Sequence, residues 1–377
     1  MLPLAFHCSK LVSYSAQLTN QPYAGTMAQP QIPEKQAASP RILLVKRSSL
    51  GDIVHALPVA NALRDTYPDS YIAWLVESRF ADMLDQHPAL DEVIAVKRYA
   101  VHQTVRLVRD TLRVRRELLK RSFDWALDLQ GLLKSAYLLS CTGAKRRIGL
   151  RHERRELSHC WCNELAPASQ QAHAVLRCLQ MARYLECDTG NPRFDLQVDA
   201  EAAASAEQML AEAGFDGSRP LVGINPGASS PHKQWPPERF VAVADTAAGN
   251  DWVVLGGRGE EDLAQQIAGQ IQARPLVSAG RTSLKQLVAL ISRLDVLVTG
   301  DTGPMHIAAA LGVPTVALFG PTDPAKTGPF GDIHKVIWHR QEARSRKRGR
   351  SRRNSPSMLA ITPAEVAEAL AEILQRP

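Results

Sequence analysis

Two stretches of this chain alternate short apolar runs with segments of helical period, and that alternation restricts the fold more than any other feature. In the first, RILLVK (41–46), YIAWLVE (71–77), EVIAVK (92–97) and WALDL (125–129) read as strands. Between and after them lie a helix from Ile53 to Tyr67, a long basic amphipathic helix from His102 to Ser122 and another from His173 to Glu186. In the second, VGINP (222–226), WVVLGG (252–257), PLVS (275–278), DVLVTG (295–300) and TVALFG (315–320) take the strand positions, again with helices between. Such alternation implies parallel sheets covered on both faces. The chain therefore reads as an α/β protein of two doubly wound, Rossmann-like halves facing a central cleft, with ligands at the carboxyl ends of the strands.

Composition sets the boundaries. Residues 1–40 are rich in proline, glutamine and small residues without any period, and are expected to be disordered; Met27, inside this stretch, is an alternative start of translation. The first half spans 41–190, a linker and lead-in helix 191–219, the second half 220–340, a basic loop 341–360 and a last helix 361–377, expected to pack back on the first half. With 377 residues and 45% hydrophobic content, two substantial cores can form. No apolar run approaches the ~20 residues that span a bilayer, and MLPLAFHCSK makes a poor secretory signal. A cytoplasmic location is expected. The six cysteines have no regular spacing and read as reduced thiols. His159-Cys160-Trp161-Cys162 lacks a second ligand pair, so no metal is expected there. The net charge of +7 resides entirely in RSRKRGRSRR (344–353), which contains no acid. That run reads as a solvated loop or as a surface attracted to anionic lipid. It contains no aromatic residue to stack on bases, and no nucleic-acid partner is expected.

Chemistry concentrates in three loops. In VTGDTGPMHIAAALGVPTVALFGPTDP (298–324) a strand runs through a glycine-containing turn into a helix with Pro304 at its start. There the backbone N–H groups of Thr302 and Gly303 point at the positive end of a helix dipole, a phosphate-type site, beside Asp301, suited to sugar hydroxyls. An ordinary capped helix is the plain alternative. In VKRSSLGDIVHALPVANAL (45–63), Asp52 opens the helix after the first strand, either as a first-turn acid stabilised by the dipole or as a general base. In NPGASSPHKQWP (225–236), Gly227 permits close backbone approach, Ser229 and Ser230 offer hydroxyls and Lys233 supplies a cation, so that Lys233 and the Thr302–Gly303 turn make a diphosphate clamp. Two other nucleotide motifs fail. GPTDPAKT (320–327) has Ala325 where a P-loop needs glycine, and GGRGEE (256–261) has Glu261 where a dinucleotide fingerprint needs its last glycine.

VKRSSLGD, DLQGLLKSA (128–136), HKQWP and GDTGPMHIAAALGVPTVALFGPTDP together resemble the heptosyltransferases of glycosyltransferase family 9, over nearly everything from Arg41 to the last helix. The resemblance implies a GT-B fold with an acceptor half followed by a donor half, and inverting transfer of a heptose from ADP-heptose to the Kdo inner core of lipopolysaccharide. It implies Asp52 as catalytic base, Lys233 on the phosphates, Asp301 on heptose hydroxyls, and Thr302, Gly303 and His306 around the diphosphate. Ser229 and Glu260 fall on nucleotide contacts, and Ser49, Gln130, Lys134 and Arg155 on contacts to an anionic, lipid-linked acceptor. It implies no cofactor, ADP-heptose being a substrate, and leaves open a peripheral contact with the inner membrane leaflet. The chain contains no D-x-D, which fits a transferase using protein donors in place of a divalent metal. A heptose or other acceptor, or a nucleotide-sugar-binding protein without turnover, remain as alternatives. The arginine–serine run between His339 and Ile361 departs from the family pattern.

Overall fold

The computed structural model describes residues 39–97, 104–151, 160–169, 171–340 and 355–375. In the first half, strands β1 (Arg41–Val45), β2 (Tyr71–Glu77), β3 (Glu92–Val96), β4 (Trp125–Asp128), β5 (Arg146–Leu150) and β6 (Glu164–Ala166) alternate with helices α1 (Leu50–Thr66), α2 (Ser78–Ala81), α3 (Thr104–Lys120), α4 (Leu133–Ser140) and α5 (Ala174–Tyr184). They form one parallel sheet in the order β3-β2-β1-β4-β5-β6. The second half repeats the plan. Its strands are β7 (Leu221–Asn225), β8 (Asp251–Val254), β9 (Leu276–Val277), β10 (Val296–Gly300), β11 (Thr315–Phe319) and β12 (Lys335–Trp338), ordered β12-β11-β10-β7-β8-β9. Its helices are α6 (Ala200–Glu212), α7 (Pro237–Thr246), α8 (Glu261–Ala268), α9 (Leu284–Ile291), α10 (Gly303–Ala310) and α11 (Pro324–Thr327).

Strand order reverses between β1 and β4 in one sheet and between β7 and β10 in the other. At such a switch point the two following loops diverge to opposite faces and leave a crevice at the strand ends. The loops singled out in the sequence, after β1, β4, β7 and β10, are the four that border these crevices.

Helix α1 shows why the halves hold together. It is apolar nearly all round and buried from Ile53 to Leu63, as a helix must be when it is enclosed on every side. One face lies on the first sheet and α5, another on α10 of the second half, so a single apolar cluster runs from Leu44 and Leu57 through Ile307 and Leu290. A second cluster fills the far face of the second sheet.

The last helix, Pro363–Leu374, corrects one expectation. Among the described residues its main partners are α7 and strands β10, β11 and β12, all of the second half, in place of the first half. Its apolar stripe Val366, Ala369, Leu370 and Ile373 joins Val298, Val316 and Trp235 in the second core, and the Trp235 indole donates to the Ile361 carbonyl at 3.2 Å. Strands β5, β6 and β12 were not anticipated; β5 opens with two arginines, while β6 and β12 are half-buried edge strands. The expected disorder of residues 1–38, the arginine run 344–353, His159 and Arg155 lie outside the described residues.

Candidate active site

The loop after β1 is held from below by the loop after β4. Buried Asp128 accepts the amides of Gln130 and Gly131 at 2.9 and 3.0 Å and the Ser135 hydroxyl at 3.1 Å. Burial pushes its carboxyl up against these hydrogen bonds. The turn so formed presents Gln130, whose Oε1 accepts the amides of Arg47 and Ser48 at 3.0 and 3.1 Å. Lys46, also buried, donates from Nζ to the Leu129 carbonyl at 2.6 Å. Ser49 then caps α1, and Asp52 occupies the third helical position rather than the first. Asp52 Oδ2 accepts both the Ser49 amide, at 3.0 Å, and the Ser49 hydroxyl, at 2.8 Å. Burial works to raise the Asp52 carboxyl, but the Lys46 ammonium and the Ser49 hydrogen bonds outweigh it and hold its pKa below the usual aspartate value. It is an ionised carboxylate at neutral pH.

In the second half a hydroxyl is turned the unusual way. Thr302 is the N-cap of α10, yet its side chain caps no amide of that helix. Its Oγ1 instead accepts from Asn225 Nδ2 at 2.9 Å and lies 3.1 Å from Thr299 Oγ1, tying β10 to β7. The first amides of α10 are left without a side-chain cap, the condition that makes a helix start receptive to an anion. Beside them, Asp301 Oδ2 accepts from Lys233 Nζ at 2.6 Å and from Thr322 Oγ1 at 2.9 Å. An ammonium has three protons, so Lys233 can hold Asp301 and still present donors to a phosphate. Further along, Glu260 Oε2 accepts the Gly257 amide at 2.7 Å. The carboxylate lies so close to Gly227 that a Cβ there would come within 2.1 Å of Oε1. Glu260 follows the second strand of its sheet, where Rossmann folds place an acid on ribose hydroxyls. Ser229 is exposed in the same β7 loop.

The two half-sites meet at His306. Its ring lies against Gly51, next to Asp52, such that a Cβ at residue 51 would stand 2.3 Å from Cδ2. On its other side His306 Nδ1 is 3.0 Å from His55 Nε2. His55 Nδ1 is buried with no partner. An unpaired buried N–H costs more than an unpaired lone pair, so the network assigns the proton of His55 to Nε2, donating to His306 Nδ1. His306 then carries its own proton on Nε2. Burial pushes His306 down to about 4, with Asp301 and Asp52 pulling the other way. The same ring thus feels the carboxylates of both halves while remaining neutral. His173, the N-cap of α5, stacks edge-on to His55 and donates from Nε2 to the Gly328 carbonyl at 3.0 Å.

The structure therefore brings together Ser49, Asp52, His306, Asp301, Thr302, Gly303 and Lys233, with Gln130, Glu260 and Ser229 on the surrounding loops. Ser49 and Gln130, expected to touch an acceptor, also hold the Asp52 loop through their own hydrogen bonds. Lys134 stands in the first turn of α4, and its side chain lies outside the described residues, as does Arg155. Sequence reading missed Lys46, His55, Asn225, Thr322 and His173. Position gave usable signals for three of them: Lys46 and Thr322 directly follow or closely follow buried strands, and His55 falls one turn beyond Asp52 on the same helix.

Residues 111–356 match the model of glycosyltransferase family 9 (heptosyltransferase). The chain is 32% identical over 301 residues to lipopolysaccharide heptosyltransferase 1 of Pseudomonas aeruginosa, covering 77% of this chain and 81% of that one. Among solved structures it resembles a family 9 glycosyltransferase of Veillonella parvula (TM-score 0.78, 26% identity, 89% and 97% coverage). It also resembles the ADP-heptose lipopolysaccharide heptosyltransferase II of E. coli (TM-score 0.73, 25% identity, 89% and 98% coverage). Two facing Rossmann-like halves of this kind are the GT-B fold, and the chain belongs to glycosyltransferase family 9, the heptosyltransferases.

Proposed function

We propose that this glycosyltransferase moves a heptose from ADP-heptose to the Kdo of the lipopolysaccharide inner core, with inversion at the sugar carbon. The observation that carries the reading is the inward-turned Thr302 hydroxyl, which leaves the start of α10 uncapped beside Lys233 and one residue ring away from Asp52. The acceptor hydroxyl attacks the anomeric carbon, Asp52 takes its proton, and the bond from that carbon to the diphosphate oxygen breaks. The electron pair leaves with ADP, where Lys233 and the Thr302 and Gly303 amides stabilise the growing charge. Asp301 holds heptose hydroxyls, Glu260 and Ser229 the nucleotide, and the neutral Nε2–H of His306 adds a donor without a competing charge. The Pseudomonas and E. coli relatives, named for lipopolysaccharide heptosyl transfer, support the substrate class.

The test is ADP release from ADP-heptose with a Kdo-bearing lipid A acceptor, a chelator present throughout. Asp52→Asn keeps an oxygen for Ser49 but removes the base, and kcat should fall by about 10²–10⁴-fold with ADP affinity retained. Turnover by Asp52→Asn equal to that of the parent would remove Asp52 from the chemistry, and dependence on added divalent ion would remove the metal-free reading. A heptose acceptor is a second reading, favoured by the likeness to a heptosyltransferase II. Faster turnover of an acceptor already bearing one heptose would select it.

A further inference from the structure

Large apolar side chains exposed among the described residues are few, and four of the six fall on two adjacent helices: Leu112 and Leu119 on α3, Leu133 and Tyr137 on α4. Each helix already buries another face. Val114 and Leu118 of α3, with Leu138 and Leu139 of α4, pack on Leu43, Val45 and Leu75 of the first sheet. At 100° per residue, Leu112, Arg115, Arg116 and Leu119 gather on one exposed side of α3, turned away from Val114 and Leu118, and Leu133 and Tyr137 share the outer side of α4. These outward apolar residues are therefore not the rim of the core. The helices lie side by side there. Leu119 Cδ2 stands 3.0 Å from where a Cβ on Gly143, just past α4, would lie.

Apolar tips interleaved with arginines and exposed among the described residues suit a layer that is anionic at its surface and oily just beneath it. We infer that the outer face of α3 and α4 docks the enzyme on an anionic lipid bilayer, with Leu112, Leu119, Leu133 and Tyr137 entering the headgroup boundary and Arg115 and Arg116 meeting lipid phosphates. The location gives the contact a purpose. α4 springs from the carboxyl end of β4, whose Gln130 turn holds the Asp52 loop, so its first residues, Leu133 included, stand at the rim of the acceptor crevice. An acceptor anchored in the bilayer would then be presented to Asp52 from the side on which the protein rests. This purpose rests on the proposed lipid-linked acceptor; the docking face itself does not.

Co-sedimentation of the full chain with vesicles of phosphatidylethanolamine and phosphatidylglycerol tests the face, with phosphatidylcholine vesicles as the uncharged comparison. Leu112→Ser with Leu119→Ser, and separately Arg115→Glu with Arg116→Glu, should each weaken binding to the anionic vesicles by about tenfold or more. All variants should turn over a water-soluble, acyl-free Kdo acceptor as the parent does. Binding unchanged in both double variants, or lost only on deletion of 344–353, overturns the inference. So does failure of the parent to bind, or loss of self-association in the leucine variant with vesicle binding intact, which would make the face a contact between copies. If no protein turns over the soluble acceptor while vesicle binding still depends on these leucines and arginines, the docking face stands and the reading of the acceptor falls.

Discussion

Asp52 closes the first turn of α1 and, in the proposed reaction, takes a proton, both through one carboxylate. The two demands are compatible because Ser49 donates to the carboxylate twice and Lys46 lies nearby, so the charged form is the one the loop is built around. A base whose pKa is held down is ready over the whole neutral range, and its activity is lost only as pH falls through that lowered value. Ser49→Ala removes one of the interactions that lower it. The acid limb of kcat/KM should therefore move to higher pH, with the neutral plateau little changed; a limb that stays in place, measured from pH 3 to 7, would show that another group sets it. Asp52 could be singled out in the sequence because it is an acid in the first helical turn after a strand. The lysine could not, since nothing in RILLVK says that its last side chain folds inward to the Leu129 carbonyl.

At the scale of elements, the site is the meeting of two helix starts. α1 and α10 come from different halves and touch through residues without side chains: Gly51 under the His306 ring, and Gly303 under Leu50. Alanine suits a helix better than glycine by up to about 1 kcal/mol, yet at Gly51 its Cβ would stand 2.3 Å from a ring pinned by His55. Gly51→Ala should destabilise the fold by about 1–3 kcal/mol and weaken ADP binding as α10 is pushed away. Gly303→Ala meets Leu50 at Cδ2, Cγ and Cβ, 2.6, 3.0 and 3.1 Å away, and the added change Leu50→Ala, which removes the two nearer atoms, should recover most of the loss. Urea denaturation and ADP titration read both; equal effects at the two glycines would mean that His306 yields as easily as Leu50. Most strands were readable because a buried parallel strand is a continuous apolar run, as in β7 and β11. Edge strands β6 and β12 pair on one side only and are half-buried, so their sequences need no such run.

For the whole molecule, the histidines of the junction couple the two halves to pH. His55, His173 and His306 all have pKa values lowered from 6.5, chiefly by burial, with His306 at about 4. A histidine kept neutral in the fold contributes its stability in full above 6.5, and loses it as pH falls and the unfolded chain takes up the proton that the fold refuses. Each such group adds about 1.4 kcal/mol per pH unit to the slope of stability against pH within that window. Unfolding free energy should thus fall steeply from pH 6.5 to 5, and His55→Asn with His306→Asn should flatten the slope; an unchanged slope would place the acid sensitivity elsewhere. By itself the sequence determined the fold class, the two repeats and the loops that border the crevices, because periodicity, turn glycines and an acid after a strand act over a few neighbouring residues. Only the tertiary structure decided that the last helix belongs to the second half, that Thr302 turns its hydroxyl from its own helix to Asn225, and that His306 stands between Asp52 and Asp301. Those outcomes depend on packing between segments some 80 to 250 residues apart, such as Asn225 with Thr302 (77 apart) and His55 with His306 (251 apart), and no local pattern encodes them.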